Sequence, residues 1–265
     1  MSAAPSAPPV VLTLAGSDSG GGAGLQADLK TWESFGVFGA SVVTCVTAQD
    51  TRGVRAVEPV SLDLLRAQLE VVLDDMPVRA VKTGLLPTGG IVREVAAMLR
   101  ARSAAPLVVD PVLVATSGDA LAGREAAEAV GEALVPAATL ITPNLREASF
   151  LTGRPVATLA DMREAASVLV DRGAAAVLVK GGHLDGAAVD LLLDAAGFEE
   201  YAAERLDVGP AHGTGCTLAA AIAADLARGR SLREAVGAAK RFVHRALAES
   251  FQVGGGARVL AHRPR

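Results

Sequence analysis

The stretch "VVLTLAGSDSGGGAGLQADLKTWESF", residues 10–35, combines a strand signal, a glycine-rich loop and a helix signal. "VVLTLA" (10–15) is a short apolar run that ends at Gly16, and such a run predicts a buried strand. "GLQADLKTWESF" (24–35) has its large apolar residues at helical spacing, which predicts an amphipathic helix. A buried strand followed directly by such a helix indicates an α/β fold.

The same alternation continues to the end of the chain. Further strands are predicted over residues 40–48, 80–84, 106–112, 139–144 and 175–182, with a strand pair over 187–207 around Gly197. Helices are predicted over residues 62–73 (capped by Ser61), 91–101, 124–134, 145–152, 161–172, 216–228 and 232–251. Strands separated by such helices predict βαβ units and a mostly parallel sheet. We expect one α/β domain over residues 10–251, between a disordered tip (1–9) and a C-terminal tail (252–265).

The composition excludes several classes of protein. The 265 residues are 51% hydrophobic, which is enough apolar material for a large core. A net charge of -4 gives no electrostatic reason to expect nucleic acid as a partner. The two cysteines, Cys45 and Cys216, cannot form a disulfide framework or a cysteine zinc site, and this content is typical of the reducing cytoplasm. Because the chain shows no signal-peptide pattern and no apolar run of about 20 residues, we expect a soluble, cytoplasmic protein without a membrane partner.

Polar and glycine-rich segments follow the predicted strands. They are "GSDSGGGAG" (16–24), "TAQDTRG" (47–53), "KTG" (82–84), "DPVLVATSG" (110–118), "TPNLREA" (142–148), "KGGH" (180–183) and "HGTGCT" (212–217). In open α/β sheets, ligands bind outside the carboxyl ends of the strands. We therefore expect these segments to form one ligand site.

The segment Gly213–Cys216 has the features of an anion-binding loop. Its two glycines precede a helix, so backbone N–H groups can point at an anion and the helix dipole adds to the attraction. A transferring phosphoryl group, or the oxyanion of acyl transfer, would suit such a site. Lys180 ends an apolar strand, and it either points at phosphate or extends its ammonium group into solvent over an apolar stem.

The glycine-rich loop after the first strand is less specific. "GSDSGGGAGLQ" (16–26) lacks both the Gly-Lys-Ser/Thr end of a Walker motif and the third glycine of the dinucleotide fingerprint. It is either a ligand-binding loop or a tight turn into a helix.

The carboxylates of Asp110 and Glu147 are candidate ligands for magnesium, and Asn144 lies beside Glu147. Asp110 ends a strand, and Asn144 and Glu147 lie three residues apart on one helical turn. Magnesium typically takes one or two protein carboxylates together with water and substrate phosphates. The alternative is structural, with Asn144 as a helix N-cap and Glu147 as its capping-box partner.

The chain resembles the hydroxymethylpyrimidine/phosphomethylpyrimidine kinases of thiamine biosynthesis, which belong to the ribokinase-like superfamily. The resemblance runs from about Val10 to about Phe251 and rests on "AGSDSGGGAGLQADLKT", "TAQDT", "VVDPVLVATSG", "TPNLREA", "VLVKGGH" and "HGTGCT". It implies a three-layer α/β/α fold with a mostly parallel central sheet, ATP and Mg²⁺ as cofactors, and a homodimer. It also implies phosphorylation of 4-amino-5-hydroxymethyl-2-methylpyrimidine, first to the monophosphate and then to the diphosphate.

The resemblance assigns a role to each matching residue. It implies that the pyrimidine is bound by Gly16, Asp28 and Gln49. It implies nucleotide contacts from Asn144, Lys180, Gly182 and Thr214, and metal contacts from Asp110 and Glu147. It implies catalytic roles for Lys180, Gly213, Thr214, Gly215 and Cys216. An aminopyrimidine edge alternates donors and acceptors, which suits a carboxylate and an amide.

Two positions depart from the family pattern. "VGPA" (208–211) has no hydrogen-bonding side chains where the family usually has polar ones, so the chain lacks the side chains for the nucleotide contacts implied there. Leu85 stands where the family often has methionine, which conserves volume.

Three other functions fit parts of the sequence. A pyridoxine or pyridoxal kinase would share the fold and ATP. A hydrolase built on Cys216 and His212 would leave the strand-end lysine and carboxylates unexplained. A sensor that binds the pyrimidine without turnover would not need those residues either.

Cys216, at the start of the last but one predicted helix, has two alternative roles. It is either a buried filler of the core or a proton acceptor and wall of the anion hole. A helix N-terminus lowers a thiol pKa, so we expect thiolate to be available near neutral pH.

Overall fold

The computed structural model describes residues 7–113, 122–182, 184 and 188–263. Several predictions lie outside the described residues. They concern residues 1–6 of the predicted tip, 114–118 of the "DPVLVATSG" motif, His183 of the "KGGH" motif and 264–265 of the predicted tail.

Within the described residues, nine strands form one sheet in the order β3-β2-β1-β4-β5-β6-β7-β8-β9. The strands are β1 Val10–Asp18, β2 Phe38–Gln49, β3 Val54–Pro59, β4 Val78–Thr83, β5 Leu107–Val109, β6 Leu140–Ile141, β7 Val177–Gly181, β8 Ala188–Asp194 and β9 Gly197–Ala203. The pairs from β2 to β7 are parallel, and β3, β8 and β9 pair antiparallel at the two ends. The mostly parallel sheet and the strand pair around Gly197 are confirmed.

The helices follow the strands as the sequence predicts. They are α1 Gly24–Phe35, α2 Leu62–Asp75, α3 Gly89–Arg102, α4 Arg124–Ala129, α5 Leu145–Thr152, α6 Leu159–Asp171, α7 Thr214–Ala227 and α8 Leu232–Ala248. A π-helical segment, Val130–Leu134, continues α4. The Ser61 side chain accepts a hydrogen bond from Leu64 N–H, which confirms the predicted cap of α2. Among the described helices, none has the length and apolar character needed to cross a membrane.

Helices cover both faces of the sheet and create two hydrophobic cores. Successive residues of a strand point to opposite faces, so Ala80 belongs to one core and Val81 to the other. α1, α7 and α8 cover the first face, and the indole N–H of the buried Trp32 donates to Ala220 O at 2.9 Å to join α1 to α7. α2 to α6 cover the second face. The three-layer α/β/α architecture is therefore confirmed.

β3 is a strand that the sequence analysis does not predict. The turn before it is held by Asp50, whose Oδ1 accepts hydrogen bonds from the N–H groups of Arg52 and Gly53. The strand alternates poorly and is mostly exposed, because it lies at the edge of the sheet. Hydrophobic periodicity gives little signal for such an edge strand.

The segment predicted as a C-terminal tail lies against the domain. A short strand β11, Arg258–Val259, pairs in parallel with β10, Ala211–His212. Leu260 and His262 are buried, and His262 Nε2 lies 3.1 Å from the hydroxyl of Thr217 in the first turn of α7. The predicted boundary at residue 251 therefore does not coincide with the end of the packed structure.

Candidate active site

An open cavity of about 1060 Å³ lies at the carboxyl ends of the parallel strands. Of the site residues predicted from the sequence, those that line it are Gly16, Gln49, Asp110, Asn144, Glu147, Lys180, Gly182, Gly213, Thr214, Gly215 and Cys216. Val208, Gly209, Pro210 and Ala211 also line it, so the segment that departs from the family pattern forms an apolar part of the wall. The strand-end motifs therefore meet at one place, as expected from the sheet.

The glycine-rich loop after β1 is organised by Asp18. Its carboxylate accepts hydrogen bonds from the N–H groups of Gly20 (2.8 Å), Gly22 (3.0 Å) and Ala23 (2.8 Å). Although burial opposes ionisation, hydrogen bonds from His212 and from this backbone hold the pKa of Asp18 below its usual value. The loop is thus a tight turn into α1, and the hydrogen bonds to Asp18 hold the turn in place.

The two glycine-rich loops touch each other. Gly213 has φ of +84°, and a Cβ at this position would lie 2.0 Å from the carbonyl oxygen of Gly22. Only glycine fits both the backbone conformation and this close approach. The anion loop before α7 is therefore positioned directly on the loop after β1.

Lys180 is held between two buried carboxylates. Its Nζ donates to Asp110 Oδ1 at 2.8 Å and lies 4.0 Å from Glu147 Oε2. Although burial opposes a charged ammonium, Asp110 and Glu147 raise the pKa of Lys180 above its usual value. Lys180 is therefore a fixed cation pointing at the site, and the alternative of an ammonium group in solvent is wrong.

Lys180 and the N-terminus of α7 converge. A Cβ on Gly215 would lie 3.1 Å from Lys180 Nζ, so glycine lets the ammonium approach the backbone. The first helical hydrogen bond runs from Thr217 N–H to Gly213 O. The N–H groups of the three residues before Thr217 thus precede the helical hydrogen-bond pattern and can face an anion. A negatively charged group here would meet a helix N-terminus and a lysine together.

Asn144 and Glu147 form the capping box that the structural alternative predicts. Asn144 Oδ1 accepts from Glu147 N–H at 2.9 Å, and Glu147 Oε2 accepts from Asn144 N–H at 2.8 Å. The capping box does not remove Glu147 from the site, because the residue also lines the cavity beside Lys180. Burial, together with the nearby Asp110 carboxylate, raises the pKa of Glu147 to about 7.

Asp110 and Glu147 fit a magnesium ion that is also held by phosphate. Asp110 Oδ1 is engaged by Lys180 and by Thr142, whereas its Oδ2 faces the α7 loop, 3.8 Å from a Cβ built on Gly215. Among the residues that the structure describes, no group of three metal-binding side chains forms. Two carboxylates with phosphate and water are the donor set that Mg²⁺ prefers at phosphoryl-transfer sites.

Asp28 does not reach the cavity, so its predicted contact with the pyrimidine is wrong. Its side chain is 0% exposed, and both carboxylate oxygens lie 2.8 Å from the ammonium of Lys82. The hydroxyl of Thr13 donates to the same carboxylate at 2.7 Å. The sequence places Asp28 on the right helix, but α1 turns this residue towards the sheet, where a buried lysine pairs with it.

Gln49 lines the cavity together with His212. Gln49 Nε2 lies 2.8 Å from His212 Nε2, which in turn lies 3.2 Å from Asp18 Oδ2. None of the hydrogen bonds among the described residues joins His212 to Cys216. The geometry therefore gives no support to a Cys/His hydrolase.

Gly16 allows the side chains of Cys45 and Leu85 to pack against the backbone at the cavity wall. A Cβ on Gly16 would lie 2.7 Å from the sulfur of Cys45 and 3.2 Å from Leu85 Cδ2. Leu85 itself lines the cavity where the family often has methionine. A larger residue at position 16 would push this apolar wall outwards.

Cys216 lies half-buried on the cavity wall, and its thiol is not poised to ionise. Burial raises the pKa of Cys216 to about 11, although Lys82 acts against this and Gly24 N–H hydrogen-bonds the sulfur. The expectation of a thiolate near neutral pH is thus wrong, because loss of water around the sulfur outweighs the helix N-terminus. In the free protein Cys216 is a neutral wall of the anion loop.

We expect the alkylation rate of Cys216 to increase steeply between pH 8 and pH 11. Only the thiolate reacts, and a thiol with a pKa of about 11 gains about tenfold in thiolate per pH unit below that value. Iodoacetamide labelling followed by mass spectrometry would measure this rate, with Cys216→Ser as the blank for the fully buried Cys45. A rate that levels off below pH 8 would contradict the raised pKa.

Three residues at the site were missed or misassigned by sequence reasoning. Lys82 lies in the apolar strand "AVKTG", and a lysine inside such a run was the available signal. Asp18 has no predicted role of its own inside the glycine-rich loop, and His212 is considered only as a partner of Cys216. Their roles depend on hydrogen bonds to distant residues, which no local pattern shows.

Comparisons with known proteins agree with this geometry. The phosphomethylpyrimidine kinase family model matches residues 18–261. A hydroxymethylpyrimidine/phosphomethylpyrimidine kinase of Streptomyces coelicolor is 50% identical over 260 residues, which cover 97% of this chain and 96% of the relative. The kinase of the same name from Rhizobium meliloti is 49% identical over 257 residues, 96% of each chain.

A solved structure shows the same fold. An ADP complex of Bacillus subtilis pyridoxal kinase superposes with a TM-score of 0.92 at 40% identity, covering 97% of this chain and 98% of the other. The family match and the full-length relatives together show that this chain belongs to the phosphomethylpyrimidine kinase family and is a phosphotransferase.

Proposed function

We propose that this protein transfers the γ-phosphoryl group of ATP to the hydroxymethyl group of 4-amino-5-hydroxymethyl-2-methylpyrimidine, and then phosphorylates the monophosphate to the diphosphate. The observation that carries the proposal is the shared cavity, in which Lys180 and the α7 N-terminus lie on the same open space as Gly16 and Gln49. The names of the full-length relatives support both steps. The ADP complex of the structural relative supports ATP as donor.

Asp110 and Glu147 would hold the Mg²⁺ ion, which when bound neutralises phosphate charge. Lys180 donates to the transferring phosphoryl group, and its ion pair with Asp110 holds the ammonium in place before the nucleotide arrives. The N–H groups of Thr214, Gly215 and Cys216 bind the oxygens on which charge develops. Phosphoryl transfer passes through a loose transition state, so positioning and charge neutralisation matter more than a strong base. A neutral Cys216 is compatible with this chemistry.

Mass spectrometry of the pyrimidine alcohol incubated with ATP and Mg²⁺ tests the proposal directly. We expect the monophosphate to appear first and the diphosphate to follow. A reaction without ATP and a reaction with the Lys180→Met variant serve as controls. If wild-type protein leaves the pyrimidine alcohol unchanged, the proposed substrate is wrong.

Pyridoxal is the second candidate substrate, and the similarity to a pyridoxal kinase structure favours including it. Turnover of pyridoxal and of the pyrimidine alcohol should be measured side by side with the same preparation. We expect the larger kcat/KM for the pyrimidine, because the full-length relatives carry that activity in their names. The reverse order would make this protein a B6 kinase of the same family.

Gln49→Ala should raise the KM for the pyrimidine by about tenfold, the cost of one or two lost hydrogen bonds in a buried site. The KM for ATP should stay within about twofold, since Gln49 is the last residue of β2, on the other side of β1 from Asp110 and Lys180. Steady-state kinetics with each substrate varied in turn would measure both constants. A rise in the KM for ATP with an unchanged KM for the pyrimidine would mean that the two ligands occupy the opposite ends of the cavity.

The homodimer and the cytoplasmic location stay predictions from the sequence. Sedimentation of the purified protein would test the first, and cell fractionation the second.

A further inference from the structure

Lys82 and Asp28 form an ion pair that is completely buried. Both side chains are 0% exposed, and the Lys82 ammonium lies 2.8 Å from each oxygen of Asp28. Thr13, which pairs with Lys82 across β1 and β4, donates its hydroxyl to the same carboxylate at 2.7 Å. The ammonium is thus fixed by two hydrogen bonds to a carboxylate that Thr13 also holds in place.

The ammonium of Lys82 lies just beneath the cavity surface. A Cβ on Gly84 would be 3.1 Å from Lys82 Nζ, and Gly84 lines the cavity. Gly84 therefore places no side chain between the buried ammonium of Lys82 and the cavity. Neither Lys82 nor Asp28 lines the cavity itself, so the charge of Lys82 can act on the site only through space.

The charge of Lys82 acts on the site more strongly than the charge of Asp28. Although burial opposes its charged form, the carboxylates of Asp28 and Asp110 raise the pKa of Lys82 above its usual value. At Cys216, Lys82 exerts a larger electrostatic effect than either Asp110 or Asp28. The pair is therefore an oriented dipole with its positive end towards the anion loop.

Stability does not explain such a pair. Replacing a buried ion pair by neutral residues of similar volume is often neutral or stabilising, because both charges lose their hydration. A buried ion pair is therefore weak evidence of a stabilising role, and the place of this pair beside cavity-lining Gly84 favours a role at the site.

We propose that Lys82 is a positioning residue for phosphoryl transfer: its buried ammonium, held by Asp28 and Thr13 beneath Gly84, supplies a second positive charge under the anion loop. Lys180 neutralises the negative charge that develops on the phosphoryl group from within the cavity. Lys82 acts on the same charge from its buried position beneath Gly84. Asp28 then serves the reaction by holding Lys82. The inference rests on the proposed function, since it requires negative charge to develop at this loop.

The test removes both charges together and keeps the volume. In Lys82→Met/Asp28→Asn, and in Lys82→Met/Asp28→Leu as a second neutral pair, we expect a folded protein by circular dichroism. The KM values for ATP and the pyrimidine should stay within about threefold, while kcat falls about tenfold or more, as for loss of a charge aimed at the transition state.

Two controls separate charge from packing. Thr13→Val loosens Asp28 but keeps both charges, so kcat should fall by no more than about threefold. Arg233→Met/Asp194→Asn removes an ion pair at Asp194, the last residue of β8, and should leave kcat unchanged. A folded neutral pair with wild-type kcat would overturn the inference. Loss of folding in both neutral pairs would also overturn it, because the pair would then be needed for the fold.

The wild-type protein assayed in parallel distinguishes this inference from the proposed function. If wild type produces no phosphorylated pyrimidine or pyridoxal, the proposed function fails. If wild type turns over and a folded neutral pair matches it, only the role of Lys82 fails.

Discussion

Replacing Lys180 by methionine is expected to lower kcat by about a hundredfold or more, the usual cost of losing one donor aimed at developing charge. Lys180 Nζ lies 2.8 Å from Asp110 Oδ1, beside the N-terminus of α7, so it is placed to neutralise charge that develops on the transferring phosphoryl group. The KM for the pyrimidine should change by less than about threefold, because the residues predicted to hold it lie elsewhere in the cavity. Steady-state kinetics with each substrate varied in turn would measure kcat and the KM for the pyrimidine.

Methionine at position 180 also leaves Asp110 and Glu147 without their shared cation. Thermal unfolding must therefore be measured for the same variant, and kcat compared at a temperature where it is fully folded. Lys180→Arg is the matched control, since it keeps the charge but changes the geometry, and we expect partial activity. Wild-type kcat in a folded Lys180→Met protein would show that the lysine only pairs with the buried carboxylates.

Gly213→Ala is expected to lower kcat/KM by about a hundredfold, because small displacements of a positioned site are costly. A Cβ at Gly213 would lie 2.0 Å from Gly22 O, so the anion loop must move away from the loop after β1. The backbone also has φ of +84°, which strains any residue with a side chain. Kinetics and thermal unfolding of the variant would measure the two effects separately.

Gly229→Ala provides the matched control for backbone strain alone. Its φ is +82°, but a Cβ there would have nothing within 4 Å. We expect a loss of about 1–2 kcal/mol in the free energy of unfolding and an unchanged kcat. If both variants lose the same stability and both keep wild-type kcat, the contact between the two glycine loops has no part in positioning the site.

Local sequence patterns led to wrong predictions for Asp28 and Cys216. Asp28 was predicted to meet the pyrimidine because of its place in the "QADLK" motif, yet its partner is Lys82, 54 positions along the chain. Cys216 was expected to ionise because a helix begins beside it, yet burial raises its pKa to about 11. In both cases the local motif was correct, and the surroundings supplied by other elements changed its chemistry.

The sequence by itself determined the order of the helices and of the sheet strands other than β3, the mostly parallel sheet and the convergence of the strand-end motifs. These follow from local periodicity and from the geometry of parallel strands, whose carboxyl ends share one edge. Only the tertiary structure decided that Lys82 is buried under the site, that Asp18 holds the first loop and that residues 258–262 pack on α7 and β10. Burial and pairing depend on residues far apart in the chain, and a charge changes its behaviour with the water and partners around it.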